Sequence, residues 1–174
     1  MIKYMNLIGI KARKASEYKI TTEVKNKVLN DYAKLIKNEK KFIINQNSKD
    51  INYARKKGLK ENLIKRLHLN ENKLNGIINS ILKIAKLRDP IDITLEKWKR
   101  PNGLNIKRVS IPIGVIGVIY ESRPNVTSDV ASLCFKSGNV VILKGGSEAI
   151  NSNKALAKLF RKALKKNKVD ENFI

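Results

Sequence analysis

The polar segment ESRPN, residues 121–125, contains the residues of this sequence that are best suited to chemistry. Its Asn125 carries a side-chain amide that can both donate and accept hydrogen bonds. Its Arg123 carries a planar guanidinium that binds carboxylate or phosphate through two parallel hydrogen bonds. Both residues also have structural interpretations, because an asparagine after proline is typical of a turn and Arg123 could pair with Glu121 or Asp129. The residues alone leave both interpretations open.

A second polar segment, KGGSE at residues 144–148, predicts a binding loop. Gly145 and Gly146 allow the backbone to approach a ligand, and the N-terminus of a following helix favours an anion such as phosphate. Lys144 adds a full positive charge. Neither of the common phosphate-loop spacings, GxGxxG and GxxxxGK[ST], is present, so a flexible turn is the alternative interpretation.

The other candidates for catalysis or metal binding are single residues. Cys134, the only cysteine, lies in ASLCFKSG with no base or cation beside it, which predicts a buried structural thiol rather than a nucleophile. His68 is the only histidine and has no acidic or cysteine neighbours, so neither a metal site nor histidine catalysis is predicted. A single cysteine cannot form an internal disulfide, which fits a cytoplasmic location.

The first 100 residues are predicted to be mainly helical. Apolar side chains recur there at helical spacing in three stretches. Thr22 and Asn70 are the expected N-caps of the first and third stretches, and Gly58 interrupts the second. The three stretches are residues 22–36, 42–67 and 71–87.

From residue 101 the pattern changes to that of a parallel βαβα unit. Two β-branched runs, residues 109–119 and 140–143, predict strands, and the stretch between them predicts a crossover helix that ends before Gly138. A second helix follows, with Ile150 on its apolar face, and a third strand is expected to begin in the final residues VDENFI.

The predicted fold class is therefore α/β with an incomplete sheet. A mainly helical region, residues 1–100, precedes a parallel βαβα unit, residues 101–174. In an open parallel sheet, ligands bind beyond the carboxyl ends of the strands. Residues 121–125 and 144–148 each follow a predicted strand, so both segments are expected at the same edge of the sheet.

The net charge of +22 raises the question of a nucleic-acid partner. The lysines are scattered along the chain with few aromatic residues between them, which favours a compositional origin over a designed basic surface. Nucleic acid is therefore not expected as the natural partner, although a basic interaction or nucleic-acid-binding module stays open as the alternative function. No apolar run approaches the ~20 residues of a membrane helix, so no membrane partner is expected.

The segment IPIGVIGVIYESRPNVTSDVASLCFKSGNVVILKGGSEAINSN, residues 111–153, closely resembles the γ-glutamyl phosphate reductases. These enzymes are the glutamate-5-semialdehyde dehydrogenases of proline biosynthesis, in the aldehyde dehydrogenase superfamily. NSKDINYARKKGL and RPNGL also resemble the helical leader of that family, and the resemblance implies that residues 101–174 are the first half of a Rossmann-like cofactor domain. Because family members are more than twice as long, the resemblance implies that the chain is an N-terminal portion, with a homo-oligomer expected when the protein is complete.

The resemblance implies NADPH-dependent reduction of γ-glutamyl 5-phosphate to glutamate 5-semialdehyde through a cysteine thiolate. In the family that cysteine lies in a later catalytic domain, so the 174 residues alone are expected to be inactive. Asn125 aligns with the superfamily asparagine that stabilises the oxyanion. Arg123 is the expected contact to the substrate γ-glutamyl phosphate.

The same resemblance implies that the cofactor is NADP(H). Lys144 aligns with the superfamily lysine beside the adenosine ribose, and relatives that prefer NAD commonly carry a glutamate three positions later. Ser147 stands at that position, so a 2'-phosphate is expected to be tolerated. Lys144, Gly145, Gly146, Ser147 and Glu148 are the predicted cofactor-binding residues, and a shift of the loop by one residue would let Glu148 restore the carboxylate.

Overall fold

The computed structural model describes residues 2–174, which form an α/β structure with two small sheets. The helices are α1 (Ile2–Ser16), α2 (Thr22–Asn38), α3 (Lys40–Lys56), α4 (Glu61–Leu67), α5 (Glu71–Lys86), α6 (Pro124–Lys136) and α7 (Ile150–Lys166). The strands are β1 (Thr94–Lys99), β2 (Asn105–Val109), β3 (Val115–Ile119) and β4 (Val140–Lys144). Within residues 2–174, no helix is long and apolar enough to cross a membrane.

The N-cap of α2 differs by one residue from the prediction. The hydroxyl of Thr21, rather than that of Thr22, accepts the hydrogen bond from the backbone N–H of Val24, at 3.3 Å. Thr22 instead donates its hydroxyl to the Oδ2 atom of Asp89, at 2.7 Å. Two adjacent threonines offer equivalent capping hydroxyls, and a tertiary contact decides between them.

The other predicted helix signals are confirmed. The side chain of Asn70 accepts a hydrogen bond from the backbone N–H of Lys73 at 2.9 Å and caps α5. Gly58 has a φ of +68°, in the left-handed region that favours glycine, and it separates α3 from α4. Helix α1 was not predicted, because only Ala12 and Ala15 of its described residues are buried and its apolar stripe is short.

Strands β3 and β4 pair in parallel, with Val115 opposite Val140 and Ile119 opposite Lys144. Helix α6 is the crossover between them, so the predicted parallel βαβ unit is confirmed. The two polar segments ESRPN and KGGSE follow the carboxyl ends of these neighbouring strands. They therefore lie at the same edge of the sheet.

The prediction of one continuous strand over residues 109–119 is wrong. The run contains the end of β2 and the whole of β3, separated by residues 110–114. Pro112 lacks a backbone N–H, and Gly114 adopts a φ of +115°, so the backbone turns there. The sequence did not reveal this break, because apolar residues continue through residues 110–114.

Strands β1 and β2 form an antiparallel hairpin that the sequence did not predict. Trp98 lies opposite Ile106, and a register shift occurs between Thr94 and Glu96. Strand β1 falls inside the region predicted to be mainly helical, and the predicted division after residue 100 falls in the turn of the hairpin. Every residue of β1 is exposed. Its sequence therefore lacks the alternation of apolar and polar residues that predicts a half-buried strand.

The predicted third strand in VDENFI is also wrong, because this segment forms a 3₁₀ turn, Glu171–Phe173. Asp170 accepts a hydrogen bond from the backbone N–H of Asn172 at 2.9 Å and starts the turn. The ring of Phe173 is buried against Phe135, with ring centroids 5.6 Å apart. Burial of this aromatic ring, rather than strand pairing, fixes the segment.

One hydrophobic core joins the helical region to the βαβα unit. The Tyr32 ring of α2 packs on the Phe160 ring of α7, with centroids 4.5 Å apart. The Tyr32 hydroxyl is hydrogen-bonded to the hydroxyl of Ser128 in α6, at 2.7 Å. Ile150, predicted on the apolar face of α7, is 44% exposed and lies outside this core. The two regions are thus folded against each other.

A buried ion pair links α2 to the segment after α5. The ammonium of Lys25 lies 2.9 Å from Asp89 Oδ2, and the Lys25 side chain is only 3% exposed. Burial raises the pKa of Asp89, but hydrogen bonds from Lys25 and Thr22 outweigh this effect and leave the pKa below its ordinary value. Nearby, burial lowers the pKa of Lys136, whose ammonium donates to the carbonyl of Ala85 at 3.0 Å.

We expect the Asp89→Ala substitution to lower the free energy of unfolding by about 3–5 kcal/mol, because it leaves Lys25 buried without its counter-ion. Urea unfolding at pH 7 measures this loss. The matched control is Glu96→Ala, which removes the exposed partner of Arg108 and should cost less than about 1 kcal/mol.

The contribution of Asp89 also has a defined pH dependence. Since its folded pKa is lowered, the stabilisation is present above the unfolded pKa of about 3.9 and is lost as the pH falls through the folded pKa. Equal losses in Asp89→Ala and Glu96→Ala at pH 7 would contradict this assignment.

Candidate functional site

The two polar loops at the carboxyl ends of β3 and β4 contact each other directly. The hydroxyl of Ser122 donates to Glu148 Oε2 at 2.6 Å. This hydrogen bond is the main reason that the pKa of the Glu148 carboxyl lies below its ordinary value. The Glu148 carboxylate is therefore ionised and turned toward the first loop.

Both glycines of KGGSE are required by contacts within the chain. A Cβ atom on Gly145 would approach the side-chain amide of Asn153 too closely and would lie 2.9 Å from the Tyr120 ring. A Cβ atom on Gly146 would overlap the Ser122 hydroxyl and would lie 2.8 Å from Glu148 Oε2. Close packing between the two loops thus explains the glycine pair, and neither glycine has a positive φ.

A line of polar side chains lies beneath the loops. The Tyr120 hydroxyl is hydrogen-bonded to Thr127 Oγ1 at 2.6 Å, and the Thr127 hydroxyl donates to Asn153 Oδ1 at 3.0 Å. Burial raises the pKa of Tyr120. These contacts tie the end of β3 to α6 and α7, so they fix the relative positions of the two loops.

The N-terminus of α7 is held by a carboxylate from the helical region. Asp50 of α3 is 1% exposed, and it accepts hydrogen bonds from the backbone N–H groups of Asn151 at 3.0 Å and Ser152 at 2.7 Å. The side chains of the same two residues donate to it at 2.8 Å and 2.6 Å. The carboxylate thus provides the negative charge that a helix N-terminus favours.

Asp50 also bears on the phosphate prediction, which stays a prediction. The backbone N–H groups of Asn151 and Ser152, at the start of the helix after KGGSE, donate to its carboxylate, although nothing in the local sequence connects Asp50 with these residues. A phosphate bound in this region would have to contact the loop itself rather than the first turn of α7.

Asn47, one helical turn before Asp50, extends this buried network to α4. Its side-chain amide donates to the carbonyl of Leu67 at 2.9 Å and to Ser152 Oγ at 3.0 Å. Its carbonyl oxygen accepts a hydrogen bond from the backbone N–H of Leu69 at 2.8 Å. The end of α4 is therefore fixed relative to the N-terminus of α7.

Asn125 lies exposed in the first turn of α6. Its side-chain amide donates to Asp129 Oδ2, one turn later, at 3.2 Å. An amide nitrogen has two hydrogens, so this contact orients the group while leaving one N–H for another acceptor. The structure thus places Asn125 in a helix start rather than in a free turn.

Arg123 pairs with Glu121 rather than with Asp129. The distance from Arg123 Nε to Glu121 Oε2 is 3.8 Å, and both side chains are exposed. The same carboxylate oxygen lies 3.4 Å from Nη1 of Arg66, a residue of α4. The sequence analysis missed Arg66, because its position 55 residues before Glu121 gives no local signal of proximity.

Lys144 and Ser147 are exposed and have only weak contacts with the rest of the chain. Lys144 Nζ donates to the carbonyl of Gly145 at 3.4 Å, and the Ser147 hydroxyl donates to Glu148 Oε1 at 3.2 Å. The Glu148 carboxylate thus accepts hydrogen bonds from the hydroxyls of both Ser122 and Ser147, and the Lys144 ammonium is an exposed positive charge of the loop.

Cys134 is buried in α6, and burial raises the pKa of its thiol. A thiol of this kind is protonated at neutral pH and is a poor nucleophile. His68 lies at the C-terminus of α4, where its backbone carbonyl accepts a hydrogen bond from the Lys73 ammonium at 2.7 Å. Neither side chain lies in the two loops.

Comparison with known proteins identifies the fold. An acetylating aldehyde dehydrogenase from Geobacillus thermoglucosidasius superposes on 99% of this chain with a TM-score of 0.66, although the sequences are only 14% identical and the match covers 36% of that protein. No family model matches the chain. The structure is thus the N-terminal part of the aldehyde dehydrogenase fold.

Sequence similarity then identifies the particular group of enzymes. The chain is 42% identical over 173 residues to the gamma-glutamyl phosphate reductase of Persephonella marina, a match that covers 98% of this chain and 39% of that protein. The solved reductase from Thermotoga maritima superposes on 95% of the chain with a TM-score of 0.93 and 40% identity, over 41% of its own length. The chain corresponds to an N-terminal part of the gamma-glutamyl phosphate reductases, and it spans about two-fifths of the length of these relatives.

We expect Asp50→Ala to remove the anion from the N-terminus of α7 and to lower the free energy of unfolding by about 3–5 kcal/mol, since buried donors lose their acceptor. Hydrogen exchange of the Asn151 and Ser152 amides should accelerate more than exchange elsewhere in the helix. The control is Asp31→Ala, which removes the acceptor of Lys166 and Asn167 at the opposite end of α7. Unchanged exchange of the Asn151 and Ser152 amides in Asp50→Ala would show that Asp50 does not hold this helix.

Proposed function

We propose that this chain provides the cofactor loop and part of the substrate site of an enzyme that reduces γ-glutamyl 5-phosphate to glutamate 5-semialdehyde with NADPH, a step of proline biosynthesis. The observation that carries the proposal is the convergence of Asn125, Arg123 and the loop at residues 144–148 at one edge of the β3–β4 sheet. The reaction class is that of its relatives, which are gamma-glutamyl phosphate reductases. The activity belongs to the complete protein, and we propose that these 174 residues alone are inactive.

The residues of KGGSE fit a cofactor that carries a 2'-phosphate. Lys144 supplies a positive charge and Ser147 supplies a hydroxyl. Gly146 lets this loop pack closely against Ser122 of the loop that follows β3. Glu148 would repel a phosphate, but hydrogen bonds from the hydroxyls of Ser122 at 2.6 Å and Ser147 at 3.2 Å offset part of its charge. The Ser147 hydroxyl would rotate from Glu148 to the phosphate when the cofactor binds. NADPH would supply the hydride for the reduction, and residues 144–148 would hold its adenosine end.

Asn125 would stabilise negative charge on the carbonyl oxygen of the reacting acyl group. Its contact to Asp129 at 3.2 Å fixes the amide and leaves one N–H directed elsewhere. A single preorganised donor of this type typically contributes about 10²-fold or more to the rate. Arg123, half-exposed at the same loop, would bind an oxyanion of the substrate.

The β1–β2 hairpin supports the proposal that the complete protein is a homo-oligomer. It carries several exposed apolar side chains of a kind that commonly pack against another surface. They are Leu95, Trp98, Leu104 and Val109.

We also propose a cytoplasmic location, consistent with an unpaired cysteine, and we retain the division into residues 1–100 and 101–174 as a proposal.

The reaction is tested most simply in reverse, with the full-length protein that includes this chain. We expect reduction of NADP⁺ by glutamate 5-semialdehyde that depends on added inorganic phosphate, and a kcat about 10²-fold lower in Asn125→Ala with little change in cofactor affinity. Asn102→Ala, at an asparagine in the hairpin turn, is the matched control and should keep normal turnover. Absence of phosphate-dependent NADP⁺ reduction would refute the proposed reaction, and near-normal turnover in Asn125→Ala would refute the role of Asn125.

Cofactor preference is tested by Ser147→Glu in the same protein. A second carboxylate beside Glu148 should repel the 2'-phosphate, so we expect kcat/KM for NADPH to fall by about tenfold or more while that for NADH changes little. Ser147→Ala removes the hydroxyl without adding a charge. It should change the ratio of kcat/KM for NADPH to kcat/KM for NADH less than Ser147→Glu does. A ratio that is unchanged in Ser147→Glu would mean that this loop does not contact the 2'-phosphate.

A further inference from the structure

Arg66 brings a second guanidinium to the loop that follows β3. Its Nη1 atom lies 3.4 Å from Glu121 Oε2, and Arg123 Nε lies 3.8 Å from the same oxygen. The three side chains are between 48% and 72% exposed, so they line an open surface beside Asn125. We call these three residues the Arg66–Glu121–Arg123 cluster.

The position of Arg66 is set by buried contacts rather than by the ion pair. The adjacent residue Leu67 is 1% exposed, in a small core with Ile51 and Ala149, and its carbonyl accepts the hydrogen bond from Asn47. Ala149 belongs to the 3₁₀ turn that ends the KGGSE loop. Helix α4 is therefore fixed on the site side of the molecule whether or not Arg66 contacts Glu121.

The ion pairs themselves contribute little to folding. Exposed pairs typically stabilise proteins by about 0–1 kcal/mol, because solvent screens the charges and the long side chains lose entropy. Two arginines that share one exposed carboxylate are held only weakly by it. A ligand with its own carboxylate or phosphate can take the place of Glu121 at small energetic cost, and it can form bidentate hydrogen bonds with either guanidinium.

We propose that the Arg66–Glu121–Arg123 cluster binds an oxyanion of the substrate, with Arg66 as a specificity-determining residue from the helical region. This inference rests on the proposed function and deepens it. The acyl phosphate of an acidic amino acid carries two such groups, the α-carboxylate and the phosphoryl group. When the arginines bind the oxyanion, Glu121 is released and can accept hydrogen bonds from the α-ammonium of the same ligand.

The test is calorimetric binding of two stable parts of that substrate, L-glutamate and inorganic phosphate, to the full-length protein. Arg66→Gln should weaken at least one of them by about 10- to 100-fold, the loss expected for a charge-assisted hydrogen bond. Arg66→Lys keeps the positive charge but lacks the planar guanidinium. Its affinity for the ligand should therefore lie between those of Arg66→Gln and the unmodified protein. The matched control is Arg108→Gln, which breaks another exposed arginine–glutamate pair, 3.5 Å long, in the hairpin.

The two ligands distinguish the source of the oxyanion. A loss confined to L-glutamate assigns Arg66 to the amino-acid part of the substrate, and a loss confined to phosphate assigns it to the phosphoryl group. The proposal would be overturned if Arg66→Gln bound both ligands with affinities within twofold of those of Arg108→Gln. Failure of the unmodified protein to bind either ligand would also overturn it. Because ligand binding and phosphate-dependent NADP⁺ reduction are measured separately, failure of this inference and failure of the proposed function give different results.

Discussion

The buried carboxylate of Asp50 is the contact on which the arrangement of the site depends. It accepts four hydrogen bonds from Asn151 and Ser152 and so fixes the N-terminus of α7 to α3. Asn47 couples the same point to the end of α4. Because a buried polar network is stabilising only when its members are satisfied, these residues specify one relative position of the helical region and the two loops. The helical region thus helps to fix the position of the two loops.

This arrangement also changes how the loop would recognise a phosphorylated ligand. Many nucleotide sites use the free N–H groups of a helix N-terminus, but here the chain's own carboxylate takes that position. We propose that recognition depends on the loop at residues 144–148, where the side chains of Lys144 and Ser147 are exposed.

Local patterns predicted the elements that local contacts determine. The cap at Asn70, the break at Gly58 and the parallel β3–β4 pair follow from residue types and spacing. The exposed β1–β2 hairpin has no buried alternation, and the final segment forms a 3₁₀ turn because Phe173 packs on Phe135, so neither could be read from periodicity. Residues 121–125 and 144–148 were predicted to share an edge of the sheet, but the contributions of Asp50 and Arg66 come from distant positions that only the folded chain brings near.

A crystal structure of the full-length protein with NADP⁺ bound tests the central claim most directly. The account predicts that the 2'-phosphate lies within hydrogen-bonding distance of Lys144 Nζ and Ser147 Oγ, while the Asn151 and Ser152 amides still donate to Asp50. A cofactor phosphate bound to those two amides in place of Asp50, or a cofactor bound away from residues 144–148, would contradict it.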